Sequence, residues 1–289
     1  MRQLRLRLRE SATALGVPQD VVEKDYAISY VLAALSVHER LRHTLVLKGG
    51  TALKKLHFGD YRFSEDLDFS AQDAPTGDDL AACLSQATAS AEITMGEQGA
   101  FQLQVERYLE RDPHPHGQEA FTVRIRFPWH REALCRVKIE IANDEPILLT
   151  PASRPIIHGY DEPLDCSANC YTLEEIVAEK LRTLLQTHQK LARRGWIRPR
   201  ARDYYDLWRV LSEYRGELTL ALIPDLLARK AAHRQVSWSA PSDFFTNELI
   251  SEARRTWRTS LGPFVADLPD CDTVLVGLQA TLSQVLSKT

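Results

Sequence analysis

From Val17 to Leu35 the apolar residues Val21, Val22, Tyr26, Ile28, Val31, Leu32 and Leu35 recur largely at helical spacing, and Asp20 and Glu23 lie near the start, where carboxylates favour the helix dipole. The pattern predicts a buried amphipathic helix. Thr44–Lys48 is a short strand-forming run that stops at Gly49-Gly50, a pair free to adopt backbone conformations other residues resist, and Thr51 then opens a short helix to Leu56. After a turn at Gly59-Asp60, Ser64–Ser70 alternates as a strand does, so Asp66 and Asp68 share a face. Phe101–Tyr108, Phe121–Phe127 and Leu134–Ile141 are further strands, the last with Val137, Ile139 and Ile141 on one side and Lys138 and Glu140 on the other. Together they predict a mixed sheet.

The pattern changes near Pro163. Thr172-Leu-Glu-Glu175 fits a capping box, with a helix from there to about Gln186, and helical periodicity returns over 201–212, 219–230, 243–258 and 273–287. The fold class expected is α+β: a mixed sheet with flanking helices over residues 1–165, followed by a C-terminal helical domain over 166–289.

Composition adjusts this picture in a few places. A formal net charge of -3 argues against a general cationic nucleic-acid binder but leaves room for a local basic patch. Cys83, Cys135, Cys166, Cys170 and Cys271 are odd in number and lack paired metal-site spacing, so they read as cytosolic thiols. No stretch approaches the roughly 18 apolar residues of a spanning helix. The expectation is a cytoplasmic protein without membrane contact. His114 and His116 have no matching Cys/His pair and read as a polar hairpin loop rather than a zinc site. The run from Lys190 to Arg202 combines six cations with Trp196 and has two open readings, an RNA-holding loop and a solvated interhelical connection.

The chemistry concentrates around the carboxylate pair. Nucleotidyl transfer needs a divalent cation beside a triphosphate, and magnesium takes oxygen ligands, commonly carboxylates with phosphate and water. Asp66 and Asp68, two apart on a strand, meet that need; Glu140, opposite the apolar face of its own strand, is the candidate third ligand, with Asp144 in reserve. Gly49-Gly50-Thr51 offers backbone N–H groups and a hydroxyl at a strand-to-helix turn, suited to phosphate oxygens. Glu23-Lys-Asp-Tyr26 is read as pinning the first helix onto the core.

Leu47-Lys-Gly-Gly-Thr-Ala-Leu53 followed by Arg62-Phe-Ser-Glu-Asp-Leu-Asp68 resembles the signature of the AbiEii/AbiGii (MenT-like) nucleotidyltransferase toxins, in the DNA polymerase β-like superfamily. Glu23-Lys-Asp-Tyr26, Ala178-Glu-Lys-Leu181 and Arg202-Asp-Tyr-Tyr-Asp-Leu207 are similar to family segments in the expected order, so the resemblance spans residues 15–215. It implies a polymerase-β-like core with Asp66 and Asp68 as catalytic metal ligands, Gly50 and Thr51 contacting the triphosphate, Lys180 as a phosphate-stabilising cation and Asp206 as a further essential position; Gly49, Arg62 and Ser64 complete the expected nucleotide-binding set, and Glu140 joins the metal ligands on strand logic. Asp203 lies one helical step before Asp206, so one of the two suffices at the site, and the family position favours Asp206.

The resemblance further implies an NTP substrate, Mg²⁺ or Mn²⁺ as cofactor, an RNA acceptor extended at a tRNA 3′ end, a winged-helix antitoxin as partner, and a cleft lined from both halves. Two other readings stay open: transfer to a protein or small molecule, and a nucleotide-binding module without catalysis.

Overall fold

The computed structural model describes residues 3–108, 117–195 and 198–286. The chain divides into two compact units, Met1–Tyr171 and Thr172–Thr289.

In the first unit, α1 (Leu4–Leu15) ends at Gly16, whose φ of 63° supplies the left-handed cap, and α2 (Gln19–Val37) follows. Nearly every residue of α2 from Val22 to Leu35 is buried, as expected of a helix that is apolar on all sides. The sheet begins with β1 (Leu45–Lys48), which runs into the single helical turn α3 (Gly49–Ala52) and a π-helical turn over Leu53–His57, closed by the Phe58 N–H on Leu53 O at 2.7 Å. Then come β2 (Asp66–Ala71), α4 (Gly77–Met95), β3 (Gln102–Arg107), β4 (Gln118–Arg126), β5 (Cys135–Ala142), β6 (Ala152–Pro155) and β7 (Ser167–Cys170).

These strands form one seven-stranded sheet ordered β3-β4-β5-β2-β1-β7-β6. It is mixed, as expected: β2 is antiparallel to β1 and parallel to β5. Leu67, Phe69, Val123, Ile125, Val137, Ile139 and Ile141 make its buried face, against which α2 and α4 pack. The residues between them in the strands face the other way.

Polar knots fasten this core. Asp25 accepts from Lys55 Nζ at 2.5 Å and from Tyr160 Oη at 3.0 Å, with both charged partners buried. Glu162 accepts from Arg7 Nη1 and Tyr26 Oη, each at 2.5 Å; burial opposes its charge, but His158, Tyr26 and Arg7 together hold its carboxyl well below the usual range. Glu23 accepts from Trp129 Nε1 at 3.0 Å. Glu23, Asp25 and Tyr26 thus pin α2 to the sheet unit.

The second unit is helical: α5 (Leu173–Arg194), α6 (Ala201–Ser212), α7 (Ile223–His233), α8 (Asn247–Leu261) and α9 (Cys271–Leu286). Half of the expected capping box forms at its start. Thr172 Oγ1 accepts from Glu175 N, while the Glu175 carboxylate lies 3.1 Å from the fully buried Lys230 Nζ.

Removing one partner of a buried ion pair leaves the other charged and unsolvated, at a cost of about 3–5 kcal/mol. Lys55→Ala is therefore expected to lower unfolding stability by that amount in a urea titration. A loss below about 1 kcal/mol, the worth of an exposed pair, would show that the Asp25–Lys55 contact does not hold α2 in place.

Candidate active site

The site in the first unit starts where β1 ends. Gly49 has φ of +72°, in the region that favours glycine, and a Cβ there would stand 3.1 Å from Asp68 Oδ2. A Cβ on Gly50 would stand 2.6 Å from Arg62 Nη2 and 3.1 Å from Ser64 Oγ. The two glycines therefore let the backbone turn close against Asp68 on one side and against Arg62 and Ser64 on the other. Thr51 is buried, and its hydroxyl donates to the Asp66 carbonyl, tying α3 to the strand that carries the aspartates. Since that hydroxyl has one proton, the group Thr51 retains for a phosphate oxygen in this arrangement is its backbone N–H in the first helical turn.

Register assembles the acidic row. Asp66 pairs with Lys138 and Asp68 with Glu140 across β2 and β5, while Lys48 pairs with Asp68 across β1 and β2. Directly paired residues share a face, so Asp66, Asp68 and Glu140 stand together with Lys48 and Lys138 on the sheet face opposite the apolar core. Burial, followed by the neighbouring charges of Glu140 and Asp66, pushes the Asp68 carboxyl up to about 8, against the opposing pull of Lys48. Asp66 is also raised, first by burial and then by Glu65 and Glu140. This is what crowded carboxylates do when too little positive charge answers them.

The oxygen chemistry and the charge of this set fit a hard divalent cation. Among the described residues, however, no three His, Cys, Asp or Glu side chains are grouped as a ready metal cage. Glu140 is engaged by the Lys138 ammonium, its neighbour two residues back on the same strand face. Asp144, the reserve ligand, lies exposed in the turn after β5. Lys48 and Lys138 are the site residues that the sequence reading passed over. The same two-residue alternation that selected Glu140 places Lys138 beside it.

In the second unit, Lys180 Nζ lies 2.8 Å from Asp203 Oδ1 and 2.8 Å from Asp206 Oδ2. The expectation that one aspartate would suffice gives way to a shared ion-pair cluster, because α6 presents residues one step apart to the same ammonium. Asp206 is fully buried; Arg200 adds a contact to Asp203 at 3.3 Å and one to Thr187 Oγ1 at 2.8 Å. Burial pushes the Asp203 carboxyl up, but Lys180 and Arg200 outweigh it and hold it below its ordinary value. Arg202 also has a structural engagement, donating to Ser260 O at 3.0 Å and lying 4.4 Å from the Phe264 ring centre. Two cations of the Lys190–Arg202 run are thus anchored within the helical unit. Trp196, His114 and His116 lie outside the described residues.

A family model described as "Nucleotidyl transferase AbiEii toxin, Type IV TA system" matches residues 30–285. Among solved structures, the chain is similar to MenT4, a nucleotidyltransferase toxin from Mycobacterium tuberculosis H37Rv. The TM-score is 0.60 at 20% identity, and the match covers 98% of this chain and 88% of that one. A search of curated proteins found no match. The structural likeness establishes the mixed-sheet fold with flanking helices.

The raised Asp68 carboxyl has a consequence for stability. Its pKa of about 8 in the folded chain lies above the unfolded value of about 3.9, so its contribution is fully present at low pH and is lost as pH rises through about 8. In chelator-containing buffer, Asp68→Asn is expected to raise the melting temperature relative to the parent at pH 9, with the difference shrinking toward pH 5. A constant difference across that range would contradict this electrostatic account.

Proposed function

This chain belongs to the AbiEii family of nucleotidyltransferase toxins of type IV toxin–antitoxin systems, and from that premise we propose that it transfers a nucleoside monophosphate from an NTP to the 3′ end of an RNA, specifically tRNA. The observation that carries the assignment of the site is the register of β2 and β5, which sets Asp66 and Asp68 beside Glu140, with Gly49 closing on Asp68. In this reading Asp66 and Asp68 hold Mg²⁺, for which Mn²⁺ can substitute, and Glu140 serves as the third carboxylate. The bound cation would neutralise triphosphate charge and favour attack at the α-phosphorus. The backbone of Gly49, Gly50 and Thr51, with Arg62 and Ser64, orients the triphosphate.

In this reading Lys180 is the phosphate-stabilising cation, and Asp206, through its ion pair, holds that ammonium in place. The acceptor hydroxyl forms a bond to the α-phosphorus as the bond to the β-phosphate oxygen breaks, and pyrophosphate departs. A winged-helix antitoxin is the proposed partner, and the cytoplasm, where NTPs and tRNA meet, the proposed compartment. Within the described residues no helix is long and apolar enough to cross a membrane.

The test is incubation of the purified chain with each α-labelled NTP separately, Mg²⁺ and total RNA. Label is expected in the tRNA fraction with at least one nucleotide, and Asp68→Ala is expected to abolish it. Label on protein instead of RNA would change the acceptor, and no transfer to RNA with any nucleotide would end the RNA reading.

A further inference from the structure

The sheet face that carries the carboxylates does not stop at β5. Through the β4–β5 register Glu140 pairs with Ala120, Lys138 with Thr122, and Arg136 with Arg124; through the β3–β4 register Arg124 pairs with Gln104 and Arg126 with Gln102. One residue past β3, the Tyr108 N–H donates to Ala120 O at 2.8 Å, continuing the same ladder. Tyr108, Ala120, Glu140, Asp68 and Lys48 therefore stand in a single row across the sheet. With strands spaced about 4.8 Å apart, the Tyr108 position is roughly 10 Å from that of Glu140. Ala120 between them is small, so the tyrosine ring is the next bulky group beyond the carboxylates. Tyr108 is 51% exposed, and Lys138 Nζ lies 5.2 Å from its ring centre.

From these placements the geometry points to a binding surface for the single-stranded 3′ end of an RNA: a base stacks on Tyr108, and the backbone phosphates run along Arg136, Arg124 and Arg126. The inference rests on the RNA-acceptor reading and names the surface that would serve it. An aromatic ring beside a row of cations on an open sheet is what unpaired bases need, because they offer stacking faces that a duplex conceals.

Arg136 is exposed and has no ion pair or hydrogen bond to another described residue. Arg124 meets Glu106 at 3.2 Å, but both side chains are more than a third exposed, so a phosphate can replace that contact at small cost. Arg126 donates to Gln102 Oε1 at 2.9 Å, which orients it along the same face. Glu106 is the one carboxylate facing these arginines from β3, and the cations outnumber it. The charge of the face thus turns from acidic around Asp66, Asp68 and Glu140 to basic at Arg136 on β5 and Arg124 and Arg126 on β4, which matches a strand whose terminal hydroxyl must lie at the carboxylates while its phosphates lie away from them.

The experiment uses the full chain with Mg²⁺, without NTP, and a fluorescein-labelled single-stranded RNA with a free 3′-hydroxyl, read by anisotropy over a range of salt. Tyr108→Ala is expected to weaken binding about tenfold or more, while Tyr108→Phe, which keeps the ring, stays near the parent. Arg136→Gln should weaken binding and flatten the dependence of log affinity on log salt by about 0.7, the slope for one lost phosphate contact on a single strand. Parent-like affinity in both Tyr108→Ala and Arg136→Gln would overturn this surface and leave the RNA acceptor standing. An absence of RNA binding by the parent would overturn both. Weaker NTP binding by Tyr108→Ala in calorimetry, with RNA affinity intact, would assign the ring to the incoming nucleotide and overturn the inference.

Discussion

Three carboxylates standing together on one face of two parallel strands repel one another, and much of the first unit's architecture serves to keep them there. Asp66 and Asp68 cannot turn away, because Leu67 between them and Phe69 after them are locked into the apolar face under α2. Glu140 is fixed in the same way by Ile139 and Ile141. Thr51 clamps the Asp66 carbonyl from α3, and Gly49 brings backbone within reach of Asp68, where any side chain would crowd the carboxylate. Burial first, and then the charges of Glu140 and Asp66, raise the proton affinity of Asp68, while Glu140 is met by Lys138. A core that buries its apolar residues well can hold such a cluster in an unfavourable state of charge, ready for a partner that relieves it.

The parts of this arrangement legible in the sequence were those that repeat with a simple period. Alternation on β2 and β5 put Asp66, Asp68 and Glu140 on polar faces, and burial follows that alternation. The pairing of those strands is a tertiary fact, which period alone does not contain. Elements whose pattern was diluted escaped notice. α1 reads as Leu alternating with Arg, a two-residue period, yet its buried residues are Leu4, Arg7, Leu8 and Ala12, the spacing of a helix with the Arg7 head turned to Glu162. α4 buries Leu80, Cys83, Leu84, Ala87, Ala91 and Met95 at helical intervals, but small residues make up so much of that face that its apolar signal is faint. β6 and β7 are four residues each, too short for a period to register.

Lysine was the residue type least legible in advance. Among the described residues three lysines, Lys55, Lys180 and Lys230, are buried, and each is met by carboxylates: Asp25 for the first, Asp203 and Asp206 for the second, Glu175 and Glu179 for the third. In a single sequence each looks like any solvated helix lysine, since burial of the head group depends on partners that arrive from other elements. What distinguishes Lys180 is a small remaining exposure of 10% and the presence of Arg200 beside the same aspartates. Two cations then face two carboxylates. Lys230, with none of its surface exposed, joins α7 to α5.

Charge sign also constrains how an anionic substrate can approach. A bare triphosphate brought to Asp66, Asp68 and Glu140 meets like charge at short range in a partly buried setting, where repulsion is poorly screened. Under the proposed function the Gly50 backbone and the Arg62 guanidinium meet phosphate on one side of the turn, while Gly49 lies on the other side, toward Asp68. On that reading the same few residues offer an anion site and a cation site on different sides of the turn. A nucleotide that carries its own divalent counter-ion satisfies both together, whereas either component alone satisfies one and strains the other. Under the proposed function, substrate binding on this scaffold is cooperative between nucleotide and cation, and the Lys138–Glu140 contact is the interaction that must yield when the third carboxylate is needed.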